Sequence, residues 1–193
     1  MKRFFILFAF FSSLCSAYNL SYVGEIKLKE YNDVWEEWFD EDLTIYAGSD
    51  GEQSTVRLKF DMTLGEYDLD YSFWGTDISE VSSYMNLLNH LKKGQDWTKI
   101  AKENAAETNK EIGWCSTSST ICKVSFISSN NARNTNVMLY VKENDEWSWN
   151  EANYKINDSN DLANLIGMLD PNRINRIINE SIRKNNQADD LFN

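Results

Sequence analysis

Cys115 and Cys122 are the residues whose spacing most directly implies a covalent event. An even pair in an oxidising compartment reads as a disulfide, here closing an eight-residue loop around 116–121. Chain-entropy arithmetic gives such a loop about 2.5 kcal/mol, a local staple and not a framework for a whole fold. A metal or redox site would want the closer C-x2-C spacing and a nearby His, and neither is present. Asp68 and Asp70 share one face of an expected strand about 7 Å apart, near the separation that paired-carboxylate hydrolases use. Any solvated strand face also spaces its acids this way. His90, the single His, sits on the polar side of an expected helix beside Asn86 and Lys93, as a surface imidazole would. The chain has no G-x-S-x-G elbow, H-E-x-x-H zinc motif, phosphate loop or dinucleotide fingerprint. No catalytic residue, cofactor or metal ligand is therefore assigned.

Chemistry of recognition is better represented. The run Asp33 to Asp42 holds six acids and three large aromatics. As a strand it turns Trp35, Glu37 and Phe39 one way and Glu36, Trp38 and Asp40 the other; as a helix it makes a stripe of Trp35, Trp38 and Phe39. Trp anchors ringed by carboxylates suit a basic protein, so Trp35, Glu36, Glu37, Trp38, Asp40, Glu41 and Asp42 are the candidate partner-binding residues. A second cluster, Trp147-Ser148-Trp149, is a lesser candidate of the same kind. Core packing behind a solvated acidic rim is the preferred account of the Asp33 to Asp42 run, and the second cluster is open to the same account.

The elements that must position these residues follow from periodicity. Leu20 to Tyr31 reads as a first strand. Val56, Leu58, Phe60, Met62 and Leu64 alternate with polar residues and face a hairpin partner carrying Tyr67, Leu69, Tyr71 and Phe73 across a Gly65-Glu66 turn. The period then changes: Ile78, Val81, Tyr84, Met85, Leu87, Leu88 and Leu91 form one stripe of a helix capped by Asp77 and closed at Lys92, Lys93 and Gly94. A weaker helix is expected over Trp97 to Ile112. Strands return at Cys122 to Ser128 and Val137 to Val141 across an Asn-rich turn, with a third within Glu146 to Ile156. Two helices follow, one with Leu162, Leu165, Ile166 and Leu169, and one opened by Asp170-Pro171 and carrying Ile174, Ile177, Ile178 and Ile182. The expected fold is α+β: antiparallel sheet with amphipathic helices packed on one face, in a single domain spanning 18–184 before a polar tail at 185–193. Both halves run strands then helices, but no residue-level repeat links them.

Address and charge bound the function. Lys2 and Arg3, the apolar run Phe4 to Phe11 and the small residues up to Ala17 have the form of a signal peptide over 1–17, cut between Ala17 and Tyr18. The apolar core is too short for a spanning helix, and Cys15 leaves with the leader unless it is lipidated. A secreted or periplasmic location follows, with no stable membrane insertion once the leader is removed. The net charge of −11 becomes −13 without Lys2 and Arg3, which repels nucleic acid and favours a basic partner. One Pro, eight Gly and 13% aromatics indicate a folded product. The expectation is an acidic, non-catalytic, extracytoplasmic binding protein of inhibitor or immunity type. The alternatives are a carboxylate- or metal-dependent hydrolase using Asp68 and Asp70, and a structural component of the cell envelope.

Overall fold

Alternation of buried and exposed residues organises the sheet. The computed structural model describes residues 20–62, 68–148, 150–156 and 158–192. The expected leader 1–17, with Cys15 and the Ala17–Tyr18 cut, lies outside the described residues. So do the Gly65-Glu66 turn and Trp149.

Among the described residues, eight strands form one antiparallel sheet. The first four are β1 (Ser21–Asn32), β2 (Glu37–Ser49), β3 (Ser54–Phe60) and β4 (Leu69–Gly75). After helix α1 (Ser82–Asn104) come β5 (Thr108–Trp114), β6 (Thr120–Ser129), β7 (Asn134–Glu143) and β8 (Glu151–Ile156), then α2 (Ser159–Met168) and α3 (Pro171–Phe192). The spatial order β4-β3-β2-β1-β8-β7-β6-β5 is two four-stranded meanders joined where β1 meets β8. In β3 and β4 the alternation read from sequence holds: Val56, Leu58, Phe60, Leu69, Tyr71 and Phe73 are buried, while Arg57, Lys59, Asp70 and Ser72 lie on the other face. α1 contacts β5, β6 and β7; α2 contacts β1 and β8; α3 contacts β1 and β2.

Five expectations are revised. Residues 33–42, which left strand and helix open, are the tip of the β1–β2 hairpin and the first half of β2. The helix over Trp97 to Ile112 does not exist as a separate element: α1 runs unbroken from Ser82 to Asn104, and Thr108–Trp114 is strand β5. Gly94 is not a stop signal. It is buried mid-helix, where an added Cβ would lie 2.6 Å from Val137 Cγ2, so its missing side chain lets α1 approach β7. Helix propensity disfavours Gly by about 1 kcal/mol, but here close packing decides the residue. The N-cap signal of Asp77 is spent on the 3-10 turn Ile78–Glu80, where its side chain accepts from Ser79 N at 2.8 Å; α1 begins two residues later. Asp170 does cap α3, accepting from Asn172 N at 3.0 Å and Arg173 N at 3.2 Å. α3 continues through Phe192, into the stretch 185–193 read as a tail.

The sheet curves on itself. In the strand order β4 and β7 are five spacings apart, about 24 Å in a flat sheet. Yet they are in contact, and Thr120 Oγ1 of β6 donates to Asp70 O of β4 at 3.4 Å. Two buried tyrosines fasten this curl, and a third ties α1 to the end of α2. Tyr71 OH of β4 donates to Cys115 O, Tyr84 OH of α1 to Leu169 O, and Tyr154 OH of β8 to Asp61 O at 3.2 Å. Their rings pack with Phe60 and Phe73, with Phe60–Tyr154 stacked at 4.8 Å and Phe73–Tyr84 edge-on at 5.3 Å. Such pairs add about 0.5–1.5 kcal/mol each beyond the area they bury.

Burial raises all three phenols above their ordinary value near 10. The folded state therefore keeps protons that the unfolded chain releases. Stability from this source is complete below about pH 10 and declines as pH climbs through the folded values. Each tyrosine contributes a slope of about 1.4 kcal/mol per pH unit over that window. Tyrosinate absorbance followed with circular dichroism should show three phenols ionising only as the fold is lost. Titration of all nine tyrosines with the sheet intact would contradict the burial.

Candidate functional site

The acid and tryptophan run at the β1–β2 hairpin is largely satisfied within the chain. Asn32 Oδ1 accepts from Val34 N at 3.0 Å and Trp35 N at 3.1 Å, folding the turn, and Glu36 takes the left-handed φ of 55°. From Glu37 onward the strand geometry holds, so Trp38, Asp40 and Asp42 share a face with Tyr31, Lys29 and Lys27 of β1. Lys29 pairs with Asp40 at 2.5 Å, and Lys27 pairs with Asp42. The Lys29 ammonium holds the Asp40 carboxyl below its usual value, first by hydrogen bond and then by charge. Trp38 lies 5.1 Å from the Tyr31 ring, with Lys155 Nζ 3.9 Å from its centroid. Trp35 stays 56% exposed, leaning on Phe39. The candidate set Trp35, Glu36, Glu37, Trp38, Asp40, Glu41 and Asp42 is thus divided: Trp38, Asp40 and Asp42 face partners of their own, while Trp35 is presented at the tip.

Asp68 and Asp70 are also matched. Arg57 Nε donates to Asp70 Oδ1 at 2.8 Å, and Lys59 lies 2.5 Å from Asp68. Asp70 raises the Arg57 guanidinium and Asp68 raises the Lys59 ammonium, in each case chiefly through the hydrogen bond. Both carboxylates are thus engaged by cations of the neighbouring strand β3. His90 is half-buried, with Nε2 3.2 Å from Trp114 O, and its ring fills the space that a Cβ on Gly113 would need, 2.4 Å from Nε2. It joins α1 to the irregular stretch between Glu111 and Gly113 of β5. No group of three or more His, Cys, Asp or Glu among the described residues is arranged to hold a metal ion.

Cys115 and Cys122 are buried, free thiols that stand together. Cys115 N donates to Cys122 O at 2.9 Å, extending the β5–β6 pairing beyond Trp114 and Lys123. Burial pushes the Cys122 thiol well above its ordinary value.

The curl of the sheet creates a site that no segment displays alone. Asp70, Ser72 and Trp74 of β4 face Ser119 and Thr120 at the start of β6, and Glu143 to Trp147 at the end of β7 and in the following loop. They line an open cleft of about 740 Å³. Trp147 is 86% exposed and Trp74 48%. Asp145 Oδ1 accepts from Trp147 N at 2.9 Å, which shapes the turn bearing that ring. Ser148 Oγ donates to Glu143, as does Asn150 Nδ2 at 3.3 Å. Among the described residues no Lys or Arg forms an ion pair with Glu143, Asp145 or Glu146. Negative charge and two ring faces therefore border one cavity, a setting in which a cation gains from both. Sequence reading found Trp147 but not its acidic neighbours or its partner Trp74.

Comparison with known protein families, curated proteins and solved structures finds no match to this chain.

The cleft's field is open to measurement. Iodide should quench the Trp147 signal, taken as the difference from Trp147→Phe, less efficiently than neutral acrylamide at low salt. The gap should narrow as ionic strength passes 0.1 M, where the screening length is about 10 Å. Combining Glu143→Gln, Asp145→Asn and Glu146→Gln should close it; equal quenching in the unaltered protein would deny any local excess of negative charge.

Proposed function

We propose that this is a secreted or periplasmic, non-catalytic binding protein whose helices are gathered on the buried face of the sheet and whose acidic cleft receives basic side chains of a protein partner. The observation that carries this reading is the cleft itself: Trp74 and Trp147 exposed beside three carboxylates with no cationic partner. Its volume of about 740 Å³ falls inside the ~300–1,000 Å³ span of ligand sites. A net charge of −11 speeds encounter with a basic partner and discourages acidic ones. An inhibitor or immunity role fits such a surface, since occupying a basic partner's own site needs tight one-sided charge matching and no chemistry. The hairpin-tip Trp35 is a secondary contact in this scheme, because its acidic neighbours Asp40 and Asp42 already meet lysines.

Calorimetric titration with a peptide rich in Lys and Arg tests the reading. Binding should weaken steadily with added salt. Trp147→Ala or Trp74→Ala should each reduce affinity roughly tenfold, about 1.4 kcal/mol, as expected of aromatic anchors. Trp35→Ala should change it by less than about threefold, roughly 0.6 kcal/mol. Binding that is indifferent to both cleft tryptophans but lost with Trp35→Ala would move the site to the hairpin tip. No binding at low salt would reject a basic partner.

A further inference from the structure

The loop between the two cysteines is also a wall of the cleft. Ser119 and Thr120 line the cavity, and both lie inside the span closed by Cys115 and Cys122. Hydrogen bonds carry that span directly to the adjoining wall segment that leads to Trp147: Asn144 N donates to Ser119 O at 2.8 Å, and Asn144 Nδ2 to Ser118 O at 3.0 Å. Within the loop Thr117 N donates to Thr120 O at 2.8 Å, and Cys122 N to Ser116 Oγ at 3.0 Å. Toward β4 the loop is tied by Tyr71 OH on Cys115 O and Thr120 Oγ1 on Asp70 O. Whatever holds the two strand ends together therefore also sets the distance between Trp74 and the turn bearing Trp147.

We infer that Cys115 and Cys122 join as a disulfide before the strand ends dock against Tyr71, and that this cross-link thereafter fixes the shape of the cleft. Directly opposed residues of an antiparallel pair have Cα atoms about 4.5–5.5 Å apart, inside the 4.4–6.8 Å range that a disulfide spans. The two thiols already share one buried pocket, so bridging them requires no rearrangement of strand register. The order of events follows from access. Disulfide exchange requires a thiolate and an approach path, whereas both sulfurs are buried here. The thiol of Cys122 is also held protonated by its surroundings. Exchange consumes one small-molecule disulfide. One cysteine thiolate attacks it and expels a thiol; the second cysteine then displaces the other half, so that one S–S bond forms within the chain and the oxidant leaves as two thiols. For its effect on ligand binding, though not for the bridge itself, the inference rests on the proposed basic-partner cleft.

Full-length reduced protein should be exposed to oxidised glutathione twice, once folded and once in urea, with free thiols counted and intact mass measured over time. The folded dithiol should oxidise at least roughly tenfold more slowly, and the product of either route should be two hydrogens lighter. Equal rates, or two free thiols persisting after refolding with the oxidant, would overturn the inference. Amide exchange on the bridged and reduced proteins gives an arm independent of any ligand. Thr117, Cys122 and Asn144 should exchange at least roughly tenfold faster when reduced, while β1 and β2 are unchanged. Identical exchange would show that the bridge does not set the wall. The Lys- and Arg-rich peptide should bind the reduced form several-fold more weakly. If neither form binds while the exchange difference stands, the basic-partner reading fails and the clamp survives.

Discussion

Lys29 and Lys155 stand directly opposite each other where β1 pairs with β8, the ladder that joins the two four-stranded meanders into one sheet. Like charges facing across an antiparallel pair destabilise it. Relief comes from two sides. Lys29 reaches Asp40 on β2, and Lys155 settles over the face of Trp38, also on β2. Desolvation and the Lys29 charge lower the Lys155 ammonium from its ordinary value, so the ring's electron-rich face is a compensating contact and not an ornament of packing. The acid and tryptophan run of β2 thereby acquires a structural purpose: it supplies the groups that let two lysine-bearing strands meet at the middle of the sheet.

Once the meanders are joined, curvature does the rest. The β4 edge reaches the ends of β6 and β7, buried tyrosine hydroxyls anchor carbonyls across the two halves, and the cleft opens along the resulting seam. Its walls come from three separated stretches, so its shape depends on tertiary closure and not on any one hairpin. Loops carried on a rigid sheet are a common way to position binding groups, and here Trp74 belongs to β4 while Trp147 is held on the β7–β8 loop.

Much of this architecture was legible in the sequence. The strict alternation of 56–62 and 69–73 left β3 and β4 one solution, because a one-residue slip would bury Arg57 and Asp70. The Ile78 to Leu91 stripe located α1, and Asp170-Pro171 located the start of α3. The failures share a cause, which is that tertiary contact overrode a local signal. Gly94 looks like a terminator until β7 is placed against it. β5 carries Asn109, Lys110 and Glu111 in sequence because it is an edge strand, exposed enough to imitate the polar side of a helix. For the site, the chain disclosed aromatic and acidic clusters but not their neutralisation: the matched spacing of Lys27 and Lys29 with Asp40 and Asp42 becomes informative only with the hairpin register. Trp74 gave no warning at all, since its companions lie far along the chain.

A strand order that seats the first and last strands side by side has a consequence for biogenesis. As the polypeptide emerges from its N-terminus, the first meander can assemble while the outer edge of β1 waits for a neighbour that is made only near the end. An idle edge invites pairing with the wrong chain. β1 carries Glu25, Lys27 and Lys29 on its polar side, and these charges guard the waiting edge during that interval. The lysine that must later be accommodated opposite Lys155 thus serves the nascent molecule as a gatekeeper.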